Sequence, residues 1–137
     1  MSASDVGPFD NDFALDFCDE VRGLDGDQVV DLLRSALNAA ADAPEGSYIQ
    51  RDVGEAAVAA AAIVVAKRWE RTDILEEVEL ESSIPQVPTD LLPLVVAALE
   101  RVRQPDSEVR RLWAQVGAGD EWSQAVEAIS IDALRSE

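Results

Sequence analysis

Apolar residues recur along this chain at intervals of three and four, the spacing of one face of an α-helix. Phe13, Phe17 and Val21, with Ala14 and Cys18 beside them, make such a stripe on a short first helix that Gly23 ends. Asp12, Asp16, Asp19 and Glu20 take the rest of that helix's surface. LDGD, residues 24 to 27, supplies a turn and a capping aspartate for a second helix, about Asp27 to Ala41. Its buried face is expected to be Val29, Val30, Leu33, Ala36, Leu37 and Ala40, and APEG at 43 to 46 breaks it. A third helix opens at Ser47 or Gln50 and runs to about Trp69. Its first turns are amphipathic; then AAVAAAAIVVA, residues 56 to 66, is apolar on every side. Alanine combines the best helix propensity with a small side chain, so this helix can sit at the centre with neighbours close around it.

The stretch TDILEEVELESSIPQVP, residues 72 to 88, is ambiguous. It fits a short helix capped by Thr72 or Asp73, or an irregular acidic connection in which Val78 and Leu80 alternate; Pro85 and Pro88 mark a loop. A helix from about Thr89 or Leu92 to Arg103 tolerates Pro93 in its first turn, and Pro105 stops it. A short one from about Ser107 to Val116 presents Val109, Leu112 and Trp113. After the Gly117–Gly119 turn, Asp120 is placed to cap a last helix bearing Trp122, Ala125, Val126, Ile129 and Leu134. With no internal repeat, the expectation is one all-α domain over residues 1–137, a bundle of five or six helices around the alanine-rich one.

Composition narrows the chemistry. Histidine is absent and Cys18 is the lone cysteine, which removes the commonest general base, the usual zinc ligands and any intramolecular disulfide. Motifs for a nucleophilic serine elbow, a phosphate loop, a dinucleotide fold or a zinc helix are missing. The chain opens polar and acidic rather than with a charged-then-apolar leader, and its longest apolar run is too short to span a bilayer, so a cytoplasmic location is expected.

Acids outnumber bases by 28 to 11, a formal charge of −17. Such a field repels phosphate backbones and anionic lipid, and it steers a basic partner inward. The acids concentrate in residues 1 to 31, where Arg22 is the one base, and in residues 70 to 90, where Arg71 is the one base.

GPFDNDFALDF, residues 7 to 17, reads in two ways. Asp10, Asn11 and Asp12 are helix-capping residue types, and Phe9 can fold back on the first turn as a hydrophobic staple. Alternatively, Asp12, Asp16 and Asp19 share one helical face and could hold a hard divalent ion, although no calcium-loop spacing accompanies them. Cys18, on the apolar stripe, is expected to be buried and inert. Trp113 and Trp122 fit either core anchors of a helical hairpin or an exposed recognition pair.

Three stretches together resemble a mostly bacterial family called domain of unknown function 4259. They are GPFDNDFALDF, SYIQRDVGEAAVAAAAIVVA, and DSEVRRLWAQVG followed by EWSQAVEAI. The resemblance implies a fold but no established activity. Members usually carry a tryptophan–glycine pair where SASDV stands here, with Gly7 retained, and a tryptophan where this chain has Phe17. A glutamate often interrupts their alanine-rich helix, whereas Ala59 to Ala62 are uninterrupted here.

Two functions remain. One is a non-catalytic acidic interaction module, an inhibitor or immunity-type protein covering a basic partner such as a toxin or nuclease, without a cofactor. Its contact residues would be Asp10, Asp12, Asp16, Asp19 and Glu20 with Glu76, Glu77, Glu79 and Glu81. The other is a carboxylate-dependent, metal-assisted hydrolase built on Asp12, Asp16 and Asp19.

Overall fold

The structure, a computed structural model, describes residues 6–44 and 46–135. The SASD of the family comparison and Glu45 of the APEG break therefore lie outside the described residues. Seven helices follow one another among the described residues: α1 (Asp12–Arg22), α2 (Gly26–Ala41), α3 (Arg51–Arg68), α4 (Thr72–Glu77), α5 (Leu91–Val102), α6 (Glu108–Gln115) and α7 (Gly119–Leu134). The fold is all-α, with one helix beyond the expected range because residues 72–77 do form a turn and a half. Arg71, not Thr72 or Asp73, stands at its N-cap. No described helix is long and apolar enough to cross a membrane.

Helix α3 packs against all six of the others. From Ala57 to Ala66 every residue is buried, and Ala59, Ala60, Ala61 and Ile63 are sealed completely. Small side chains make this possible, because axes can approach closely only where little bulk stands between them. The two most extensive packings are those of α2 with α3 and with α5. Their buried stripes are Val29, Leu33, Leu37 and Ala40 from α2, and Leu91, Val95, Ala98, Leu99 and Val102 from α5. Val30 and Ala36 sit only half-buried at the edge of the α2 stripe.

Glycine 54 sets how α6 meets α3. A Cβ at that position would lie 2.9 Å from Val109 Cγ2, so the absent side chain lets α6 settle directly onto the first turns of α3. A parallel bridge between Ile49 and Ser107 brings the two helix starts together, with Ile49 N–H donating to Asp106 O (3.0 Å) and Glu108 N–H to Ile49 O (2.9 Å). Glu108 Oε1 then accepts from Arg51 N–H (2.8 Å), satisfying an amide in the first turn of α3 from outside that helix.

The connection after α4 is anchored, not loose. Leu75, Val78, Leu80, Ile84 and Val87 are all buried. Glu70 and Glu79 adopt left-handed φ angles of 55° and 59°. Each follows a helix whose last carbonyls are closed by the paired bonds of a Schellman motif: Arg71 N–H to Ala66 O (2.8 Å), and Leu80 N–H to Leu75 O (2.8 Å). Glycine is the usual occupant of such a position, because a Cβ there costs about 1–2 kcal/mol.

Two expectations at the C-terminal end are corrected. Ala118, not Asp120, is the N-cap of α7, which begins two residues earlier than an aspartate cap requires. Leu134 is exposed and Ala133 buried, because the helix face turns past Leu134 at its end. Trp122 is a core anchor, whereas Trp113 is half-buried. Trp69 closes α3 against α7: its indole N–H donates to Asp132 O (2.9 Å), with Arg68 and Arg135 over its ring at 4.8 and 5.0 Å.

Replacing Ala59 by leucine should overpack the centre and destabilise by ~1–3 kcal/mol in urea titration, whereas a change at exposed Ala97 should not. Cys18 is buried, and burial pushes its thiol up to about 11 against the opposing pull of Arg22. It should react with a thiol reagent at neutral pH only as fast as the protein unfolds, and rapid stoichiometric labelling of the native state would contradict this packing.

Candidate interaction surface

The opening stretch folds as a turn leading into a helix. Asp10 N–H donates to Gly7 O (3.2 Å) and Gly7 N–H to Asp10 Oδ2 (3.0 Å), closing a reciprocal turn. A side chain at residue 7 would have to displace that carboxylate from the turn. Asn11 has extended backbone angles, and its Oδ1 accepts from Ala14 N–H (2.8 Å), so it is the N-cap of α1. Phe9 is buried in the core, but it stands two residues before the cap and Leu15, the residue a staple would grip, is exposed, so no hydrophobic staple forms.

One member of the apolar stripe is misplaced by periodicity. Phe13 is 39% exposed and Leu15 45% exposed, while Ala14, Phe17, Cys18 and Val21 are buried. Helix α1 packs on α3 with Ala14, Phe17, Cys18 and Val21 on its covered face, and Phe13 lies at the edge of that face, toward solvent. There the Phe13 ring carries the Arg51 guanidinium at 5.3 Å. Cys18 is therefore covered without any contribution from Phe13 to the buried stripe.

Asp10, Asp12, Asp16, Asp19 and Glu20 are all exposed, as are Glu76, Glu77, Glu79 and Glu81. Arg22, the last residue of α1, brings the two groups together. Its Nη1 donates to Val78 O (2.5 Å) across 56 residues of sequence, while its Nη2 pairs with Asp19. The acids at the end of α1 and those around the end of α4 thus share one surface, with its nearest base consumed at the seam. Asp12, Asp16 and Asp19 do not converge: among the described residues no three His, Cys, Asp or Glu side chains group as a metal ion requires.

The structure brings out two charged residues that the sequence reading passed over. Glu55, in the second turn of α3, is only 5% exposed. A buried carboxylate does stand in the alanine-rich helix, one turn before Ala59 to Ala62, the uninterrupted positions of the family comparison. Its Oε2 accepts from Arg51 Nε (3.2 Å), and burial raises its pKa above the ordinary 4.5 despite the hydrogen bond and charge of Arg51. The signal in the sequence was Arg51 and Glu55 four apart at the start of an otherwise apolar helix.

Arg101 is the second, 8% exposed on α5. It donates to Ala43 O (3.1 Å), Pro44 O (2.8 Å), Ser47 O (2.7 Å) and Asp106 Oδ1 (2.7 Å), clamping the α2–α3 connection to the start of α6. All four of its partners are fixed parts of the chain, so Arg101 acts as a structural tie.

Among proteins of known sequence, the family described as Domain of unknown function (DUF4259) matches residues 2–125 of the chain. No curated protein matches it. No solved structure matches it either.

Replacing Asn11 by alanine removes the α1 cap and should cost roughly 0.5–2 kcal/mol, with or without a chelator present. Asp16→Asn should leave melting and the response to divalent ions unchanged, since Asp16 is exposed beyond the first turn. A chelator-sensitive melting curve made insensitive by Asp16→Asn would reverse this assignment.

Glu55 gives a pH prediction of defined sign. Its folded pKa lies above the ordinary 4.5, so across that window the folded state binds more protons than the unfolded chain, and this group's contribution to stability falls as pH rises. Glu55→Gln should therefore be at least as stable as the parent at pH 7, with the gap closing as pH falls toward 4.5. A variant clearly less stable at pH 7 in parallel urea titrations would mean that the Arg51 pairing outweighs the cost of burial.

Proposed function

We propose that this chain, which belongs to the DUF4259 family, is a non-catalytic interaction module whose acidic α1–α4 surface docks on a basic protein, in the manner of an inhibitor or immunity protein against a toxin or nuclease. The observation that carries this reading is the Arg22–Val78 tie, which brings the end of the acid-rich α1 beside the acid-rich turn after α4. Enzymes that grip nucleic acid phosphates present cationic sites, and an acidic surface can occupy them with fast, salt-sensitive association.

Two further features support it. Glu79 occupies a left-handed position where glycine would be unstrained, which fits a carboxylate retained for contact rather than for folding. Phe13 and Leu15 stand exposed on either side of Asp12, Asp16 and Glu20, so the same helix offers apolar contact area flanking its acids.

The test uses the protein as bait in extract from its own host, beside a variant with Asp16, Glu20, Glu77 and Glu79 changed to lysine. The parent should retain a basic protein that the variant does not, and the association rate should fall steeply with added salt. Equal recovery by both baits would refute the acidic-surface reading. Divalent-ion-dependent hydrolase activity lost in Asp12→Asn, Asp16→Asn and Asp19→Asn would replace it with a catalytic one.

A further inference from the structure

Next to Phe13, whose ring carries the Arg51 guanidinium, a groove of about 250 Å³ runs between the start of α3 and α6. Val109, Leu112, Trp113 and Val116 give it apolar walls, and Glu55 and Arg51 supply its charged groups. Its construction follows from Gly54, which lets Val109 close on α3 and leaves the neighbouring Glu55 nearly covered.

The Glu55 carboxylate is nearly covered, yet neither of its oxygens is sealed away without a partner. Its one hydrogen bond among the described residues comes from Arg51 Nε and reaches Oε2, leaving Oε1 free to accept another. Arg51 lines the groove through its bond to Oε2, with its side chain 41% exposed, its backbone N–H held by Glu108 and its guanidinium over Phe13. A nearly buried carboxylate with an open oxygen, on the wall of an apolar slot beside an indole, is complementary to one side-chain type. Arginine has an apolar stem, a planar cation that stacks on aromatic rings, and donors for a carboxylate.

We propose that this groove receives a single arginine side chain from the partner protein, its stem against Val109, Leu112 and Val116, its guanidinium on Glu55 and against Trp113. The proposal rests on the interaction-module reading and extends it. The acidic surface supplies long-range attraction, and the groove supplies a desolvated anchor at its edge, the kind of contact that dominates binding energy. The alternative of a purely structural Arg51–Glu55 pair needs no groove and leaves Oε1 unused.

The test follows the indole N–H resonance of Trp113 while N-acetyl-arginine-methylamide is titrated into the full chain, with the neutral isostere N-acetyl-citrulline-methylamide as control. The arginine amide should shift Trp113 saturably and the citrulline amide should not. Glu55→Gln, which keeps the shape of the side chain, should weaken the arginine amide by at least about tenfold. An acidic-surface variant with Asp16, Glu20, Glu77 and Glu79 changed to their amides should retain the shift.

Equal shifts with citrulline, or an undiminished shift in Glu55→Gln, would overturn the groove while leaving the acidic surface to its own test. Loss of the shift in the acidic-surface variant alone would overturn it too, since the cation would then be responding to the surface field. Conversely, a groove that behaves as described, in a chain whose charge-reversed form still captures its partner equally, would retire the acidic surface and keep the anchor.

Discussion

Six helices can crowd around a seventh only if the seventh has very little side-chain bulk, and that constraint shapes the molecule. Helix α3 meets it with alanine at residues 57, 59, 60, 61, 62 and 66, all buried. Because α3 is apolar on every side, each surrounding helix needs only one stripe of larger residues to complete the core. Leu33 and Leu37 of α2, or Val95 and Leu99 of α5, are such stripes. The outward faces are then free of any packing duty, and they carry the acids. The net charge of −17 and the alanine-rich centre are in this sense two consequences of one arrangement.

A surface so acidic repels itself, which works against compactness. The arginines are spent largely on countering this at places where the chain must hold. Arg34 pairs with Asp90 (2.9 Å) and joins α2 to the start of α5. Arg22 ties α1 to Val78, and Arg101 binds three carbonyls and Asp106 between α2 and α6. Arg110 and Arg111 donate to the carbonyls of Arg103 and Pro105. With these guanidinium groups engaged by the chain itself, the charge left facing solvent around α1 and α4 is mostly negative, which is the basis of the proposed basic partner.

Features that depend on local spacing were legible in the sequence. The Asn11 cap, the α2 stripe, the burial of Ala59 and Ile63 and the tolerated Pro93 in the first turn of α5 all follow from a few neighbouring residues. What stayed hidden depends on how helices approach one another. Phe13 shares the period of Phe17 and Val21, yet the face that α1 turns to the core is centred on Ala14, Phe17, Cys18 and Val21 and leaves it at the edge. Glu55 reads as an ordinary acid in a first amphipathic turn until α6 is known to close over it at Gly54. Arg101 reads as a solvated base between Leu99 and Val102, because its partners at 43, 44 and 47 lie more than fifty residues away. The acidic residues were visible as two clusters; that they form one surface required the Arg22–Val78 contact.

The central claim is that one side of the molecule, α1 with the turn after α4 and the adjoining groove, is the face that meets a protein partner. Hydrogen–deuterium exchange on the free chain and on its complex with the captured partner tests this most directly, because it reads the face without altering it. Protection gained on binding should fall on residues 10–22, 76–81 and 109–116, with the α2–α3 connection clamped by Arg101 unchanged. Protection confined to the connection at 43–47 or to the C-terminal half of α7, with residues 10–22 and 76–81 exchanging as in the free chain, would contradict the account.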